Sequence, residues 1–496
     1  MTQPSPRIER FERRTIFGVP EGYDSVFLGR LAKESVAPVI HISSDDLRFE
    51  QMDEALRFFA PEVEVLRFPA WDCLPYDRIS PTSQVVGERL KTLSGLLHRG
   101  GHKPLIILTT VSAIIQRVPA GELLRHAVYQ VKTGDRLDRR KLQDFLAANG
   151  YHRAETVREA GEYALRGGLI DIFPAGAPDP LRLDCFGDDI EHIRAFDALS
   201  QRTIKDMPEL SLYPVSEVLL TPEAIESFRS KYREIFGAAR KDDALYESIS
   251  EGRKYAGMEH WLPLYYDRLE TLFDYAPAAS VTLDHQAEQS RGMRMQQVMD
   301  LYQARMTMVQ AEQRSKPAQY RPVPVAALYL PEAEWLKEIG ARQVTDLSPF
   351  APPPGQKDGG GKKGRDFGDV RAQAGVDLYG AICGHIEKLQ KSGKTVLLVA
   401  YSAGARDRLQ HLLQEQGLYN IKELVTPAQV RQGGGVYIAI LGLEHGFETA
   451  GLAVLTEQDL LGDRLSRTSR KKKKSDAFLF EISQLHEGDF IVHEDH

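Results

Sequence analysis

A chain of 496 residues exceeds the size at which a single hydrophobic core stops growing, so several domains are expected. With 42% hydrophobic and 27% charged residues, and no apolar run near the roughly 20 residues that span a bilayer, the composition excludes a membrane-embedded protein. A net charge of −7 argues against tight autonomous binding to nucleic-acid phosphates, which calls for a basic surface. The opening MTQPSPRIERF lacks the apolar stretch of a secretion signal, so a cytoplasmic address is expected. Cys73, Cys185 and Cys383 lie far apart and form no C-x-x-C pair; they read as small buried apolar residues, without a disulfide framework or a metal site.

Residues 1–125 alternate strand-like runs (VIHIS at 39–43, VEVLRF at 63–68, LIILTT at 105–110) with helical stretches (46–59 and 84–100), which predicts βαβ units and a parallel sheet. Residues 126–212 hold short, turn-punctuated strands and read as a small α+β insertion. Helical patterns return over 213–350, with strand-like SVTLDH at 280–285 and LYL at 328–330. The Pro- and Gly-rich APPPGQKDGGGKKG opens a flexible linker at 351–372. A second, small α/β domain follows over 373–461, where Leu378, Ile382, Ile386 and Leu389 share a helical face, TVLLVAY forms a strand, and Gly417 ends a helix. A basic linker with RKKKK (470–474) covers 462–484, and 485–496 stop in mid-pattern, as a truncated chain would.

A P-loop ATPase needs G-x-x-x-x-G-K-[ST] between a strand and a helix, so that backbone N–H groups, a lysine and a hydroxyl hold phosphate and Mg²⁺. The triplet Gly393-Lys394-Thr395 fails: Lys388 stands five positions earlier, and the triplet precedes its strand. The segment FGVPEGYDSVFLGRLAKE has a phosphate loop's rhythm, with Gly22 before a helix expected to start near Ser25, yet no Lys-Ser/Thr pair follows. An acidic box is damaged alike: Asp284 ends a strand, but His285 takes the place of the Glu that would orient water. Hydrolysis by this chain is not expected, and it is expected to bind no cofactor and no metal. His486, His493 and His496 are too irregularly spaced for a metal site. Trp71 and Tyr76 have two readings, stacking on bases or anchoring the sheet edge.

Within 126–212, Gly187-Asp188 between PLRLDCF and DIEHIRAF predicts a hairpin. Alternation puts Arg182, Asp184 and Phe186 on one face and Leu183 and Cys185 on the other. An exposed aromatic beside arginine has the composition of a binding hot spot. The plainer alternative is that Phe186 packs under a loop while the arginines are solvated or pair within the domain. Arg166 nears the same surface if its strand is a neighbour, Arg194 with His192 is a second-rank candidate, and Arg202 reads as a loop-stabilising residue.

FPAWDCLPYDRISPTSQVVGERLKTL (68–93) resembles a segment shared by UvrB and the bacterial transcription-repair coupling factors, and 161–204 resembles the insertion by which both bind UvrA. LTEQDLLGDR (455–464) and LHEGDFIVHEDH (485–496) resemble the coupling factors and not UvrB. The resemblance implies an α/β multidomain chain: a degenerate RecA-like, helicase-like parallel-sheet domain split by a UvrA-binding insertion, then a small α/β domain, then the start of an RNA polymerase-interacting domain. It implies that Arg166, Arg182 and Phe186 contact UvrA. It also implies that ATP, Mg²⁺, DNA translocation and most contact with RNA polymerase belong to parts not present in this sequence. The function expected is that of a monomeric recruitment scaffold in nucleotide excision repair. The alternatives are an ATP-using UvrB-like DNA enzyme and a damaged-DNA-binding module.

Overall fold

A computed structural model describes residues 13–100, 103–125, 127–239, 243–312, 320–373, 375–424 and 435–462. The RKKKK run, the three C-terminal histidines and the segment expected to begin a polymerase-interacting domain lie outside the described residues. Two compact units divide the chain: one holds Arg30–Asp53 and Glu62–Leu347, the other Ile16–Gly29, Glu54–Pro61 and the residues from Ser348 onward.

In chain order the elements begin with α1 (Tyr23–Glu34), β1 (Val39–Ser43), α2 (Asp46–Phe59), β2 (Glu64–Phe68), α3 (Ser83–Leu97) and β3 (Leu105–Thr110). Then come α4 (Arg139–Ala148) and the antiparallel run β4 (Glu162–Arg166), β5 (Leu169–Ile172), β6 (Leu181–Phe186), β7 (Asp189–Phe196) and β8 (Thr203–Met207). The chain returns through β9 (Ser280–Leu283), α5 (Ala287–Glu312) and β10 (Val344–Leu347).

In the first unit the strands order β10-β9-β1-β3-β2, all parallel. Every residue of β1 and β3 is buried, as expected where helices cover both faces. Trp71 and Tyr76 belong to this core, Tyr76 with no exposed surface and its ring 5.5 Å from Tyr302, so the anchoring reading holds over base stacking. The LYL segment at 328–330 is no strand: Leu328 ends the short helix Val325–Leu328, and Tyr329 makes only an isolated bridge to Gln116.

Two devices fix the small sheet to the parallel one. Gly87 in α3 lies so close to the backbone of Ala175 and Gly176 that a Cβ there would collide with it. Arg89, also in α3, donates from Nε to Glu217 Oε1 at 2.5 Å, and neither side chain has exposed surface. Arg89 also donates to the Pro69 carbonyl and lies over the Phe68 ring. Glu217 stands where the chain leaves the insertion, so the pair ties that exit to α3. Removing one partner leaves a buried charge, at a cost of about 3–5 kcal/mol.

In the second unit, β11 (Lys362–Lys363), α6 (Leu378–Lys391), β12 (Thr395–Ala400), α7 (Ala403–Glu415), β13 (Ile421–Glu423), β14 (Val436–Ile440), β15 (Phe447–Glu448) and β16 (Leu452–Thr456) form a sheet of order β11-β15-β16-β12-β14-β13 with its helices. Ile382, Ile386 and Leu389 of α6 are buried against β12 and β14, and Leu378 is partly so. Gly417, at φ +90, follows α7, with Leu418 N–H donating to the Leu413 carbonyl. The expected flexible linker is tied down instead. Lys357 and Asp358 pair in parallel with Ile16 and Phe17, β11 pairs with β15, and Gly359, Gly361 and Gly364 each donate a backbone hydrogen bond. Glycine-rich composition did not leave this segment loose, because its small residues let it run flush against neighbouring backbone. Among the described residues no helix is long and apolar enough to cross a membrane.

Candidate functional site

The small sheet has two unlike faces because the register sorts its residues. Rows across β4-β5-β6-β7 place Leu165, Ile170, Leu183 and Ile193 together on the core side. The alternate rows, Ala164-Asp171-Arg182-Arg194 and Arg166-Leu169-Asp184-His192, share the other side. The strand of Arg166 is not a direct neighbour of β6; β5 lies between them, yet Arg166 and Asp184 share one row. The predicted hairpin is present, with Phe186 opposite Asp189 across the Gly187-Asp188 turn and Gly187 at φ +63.

Phe186 is 76% exposed, a large apolar ring at a hairpin tip. The register shifts between Asp184 and Cys185, so strict alternation ends there and Cys185 is only half-buried. Arg182 is not the free outward cation that alternation suggested. Its Nε and Nη2 donate to the two carboxylate oxygens of Asp171 at 2.6 and 2.9 Å, and its guanidinium lies 4.6 Å from the Phe196 ring centroid. The hydrogen bond to Asp171 holds the Arg182 pKa above its ordinary value against the opposing effect of burial. Arg194 is likewise shared between Asp184 at 3.0 Å and Asp206 at 3.4 Å. Arg166 differs: it donates to the Glu155 carbonyl and to Thr156 Oγ1, and has no carboxylate partner among the described residues. The face therefore presents one bare aromatic ring, one cation held by neutral acceptors, and two arginines already paired with carboxylates. Sequence reading missed Asp171; the signal was an aspartate inside the apolar LIDI strand, on the face opposite its core residues. Arg202 is exposed, and its carbonyl accepts the Asp197 N–H at 2.9 Å, which closes the turn between them.

The two halves of the suspected nucleotide motif fall in different units, and each makes contacts with its own surroundings. Gly22, at φ +82, precedes α1, which starts at Tyr23, two residues before the expected position. The Ser25 hydroxyl is fully buried and donates to the Gly22 carbonyl at 2.7 Å. Phe447 covers the glycine: a Cβ at Gly22 would stand 3.0 Å from its ring, which also packs 5.6 Å from Tyr23 and 5.7 Å from Phe59. An aromatic ring thus packs directly against the glycine of this loop. Asp284, at the end of β9, holds Arg48 Nε at 3.1 Å. Burial pushes its carboxyl upward, but the charge and hydrogen bond of Arg48 outweigh this and bring it below the ordinary range. An arginine stands as the counterion a metal would supply. His285 is exposed and donates its backbone N–H to Asp284. Lys394 of the Gly-Lys-Thr triplet pairs with Glu448 at 2.7 Å, and Gly393 at φ +80 makes the turn into β12.

A family model for the UvrB interaction domain matches residues 129–218, and one for the MFD, D3 domain matches 389–460. The chain is 30% identical over 508 residues to a transcription-repair-coupling factor of Haemophilus influenzae, with 100% of this chain and 42% of that protein covered. It is 30% identical over 486 residues to the one of Escherichia coli (95% and 40% covered) and 24% identical over 522 residues to that of Bacillus subtilis (98% and 42%). The chain thus spans about two fifths of the length of these relatives. Two domain matches in this order, along a chain that its relatives cover nearly end to end, support its place as an N-terminal portion of a transcription-repair coupling factor.

Proposed function

We propose that this chain is a recruitment scaffold of transcription-coupled nucleotide excision repair, which docks UvrA on the outward face of the small antiparallel sheet. The observation that carries the reading is the 76% exposed Phe186 at a hairpin tip inside the segment matched by the UvrB interaction domain. Phe186 acts as the apolar anchor and Arg166 as the cation that meets a partner carboxylate. Arg182 and Arg194 hold the face in shape through Asp171, Asp184 and Asp206, and Arg182 reaches a partner only by sharing it with Asp171. The parallel-sheet domain serves as the mount, with no nucleotide or metal required. In this reading the chain works as a monomer in the cytoplasm. Displacement of stalled RNA polymerase by ATP-driven DNA translocation, and most contact with DNA and polymerase, belong to regions beyond the two fifths matched here.

The test is Phe186→Ala combined with Arg166→Glu, measured by calorimetric titration with UvrA. Neither side chain contributes to a core, so the melting temperature is expected to stay within about 2 °C while affinity falls by about 100-fold, the loss of one hot-spot residue and one charge pair. Undiminished binding would overturn the surface. Arg182→Glu is the poorer test, since it sets a carboxylate against the buried Asp171 and disturbs the sheet itself.

A further inference from the structure

We infer that Arg139 is a positioning residue of this docking surface: its guanidinium bridges two hairpin tips and sets the spacing of Arg166 and Phe186. The inference rests on the docking reading above and adds to it a residue that never needs to touch the partner.

Arg139 opens α4, whose cap Asp138 accepts from Lys141 N–H at 2.9 Å. A cation in the first turn of a helix faces the positive end of the helix dipole, so the position gains nothing from helix electrostatics. Its side chain explains the placement. Nη1 donates to the Gly167 carbonyl at 3.1 Å and Nη2 to the Gly187 carbonyl at 2.9 Å. Gly167 (φ +60) is the first turn residue of the β4–β5 hairpin, and Gly187 (φ +63) is the first of the β6–β7 hairpin. Arg166 directly precedes the one and Phe186 the other. One planar fork therefore grips the backbone just after each residue of the docking pair.

The rest of the contacts divide unequally between the tips. The Leu137 N–H donates to the Asp188 carbonyl at 2.7 Å, and the Gly134 N–H to the Ile190 carbonyl at 2.8 Å, so the segment before α4 is fixed to the second tip by backbone. Asp188 adds a carboxylate 3.8 Å from Arg139 Nε. Between the tips themselves the Cys185 N–H donates to the Gly168 carbonyl at 2.9 Å. Beside this backbone pairing, which runs on from the Leu169–Asp184 end of the β5–β6 ladder, the Arg139 side chain ties both tips to the start of α4. A lysine offers a single point charge and cannot span both carbonyls in fixed geometry.

The experiment compares Arg139→Ala, Arg139→Lys, Phe186→Ala and the Arg139→Ala/Phe186→Ala pair in the full chain, by UvrA titration and by amide exchange of the unbound protein. The expected result is about tenfold weaker binding for Arg139→Ala, a loss only partly recovered by Arg139→Lys. The double variant is expected to lose less than the product of the two single losses, because Arg139 acts in part through Phe186 and in part through Arg166. Exchange of the Cys185 amide is expected to quicken in Arg139→Ala before any partner is added. Binding within twofold of the parent for Arg139→Ala, full recovery by Arg139→Lys, unchanged Cys185 exchange, or strictly additive losses would each overturn the clamp. Failure of the docking reading looks different: Phe186→Ala alone would then bind UvrA normally.

Discussion

His41 sits in the middle of β1 with no exposed surface, its Nδ1 3.0 Å from Thr282 Oγ1. Burial lowers its pKa from 6.5 to about 4, Asp284 opposing and Arg48 adding to the effect. His260, 1% exposed, is lowered to about 4 as well, again by burial first, against the hydrogen bond to Ile79 and the charge of Asp77. Both are therefore neutral in the fold, while the unfolded chain takes up protons near pH 6.5. With folded values below the unfolded ones, the associated stability is intact above pH 6.5 and is lost as pH falls toward 4. Each group contributes up to about 3 kcal/mol of that slope. Glu259 works in the opposite sense, since burial raises its pKa against the hydrogen bonds of Ser80 and Ser216. The comparison must therefore be between variants. Urea midpoints at pH 7.5 and 5 are expected to lie closer together for His41→Gln than for the parent; an equal gap would show that His41 does not titrate as described. The same scale of detail governs the proposed docking face, where Asp171 occupies Arg182 and leaves Arg166 as the cation without a carboxylate partner among the described residues.

At the scale of elements, the fold depends on a close approach that only glycine permits. Gly87 brings α3 against the Ala175-Gly176 backbone, and Gly176, at φ +77, returns the contact. Gly87→Val is expected to push the small sheet off its mount and cost about 3 kcal/mol or more, seen as a lower melting temperature with a second, earlier transition from the released sheet. A single transition at the parent temperature would show that the joint lies elsewhere. Isolated strands and helices were readable in the sequence because their apolar periods are strong: 39–43, 46–59 and 105–110 match observed elements end to end. LYL misled because a three-residue apolar run has no period to distinguish a strand from the end of a helix. The 351–372 segment misled because composition reports what a segment lacks in side chains and says nothing of the neighbour that will pair with its backbone.

For the whole molecule, a recruitment scaffold has no need to hold a nucleotide. Phe447 over Gly22 and Arg48 on Asp284 lead to an expected absence of saturable signal when the chain is titrated with a fluorescent ATP analogue up to millimolar concentration. Saturation in the micromolar range would return the chain to an ATP-using class. The parallel sheet, the split by a strand-rich insertion and the hairpin at Gly187-Asp188 were legible from the residues, because each follows from periodicity or turn chemistry. Which arginine lacks a carboxylate partner, which ring packs on the glycine of the N-terminal loop, and how Arg139 meets two hairpin tips were decided by tertiary structure alone. Asp171, Phe447 and Gly167 are separated from their partners Arg182, Gly22 and Arg139 by stretches of chain that only folding brings together, and no local pattern encodes which carboxylate, ring or carbonyl will be waiting there.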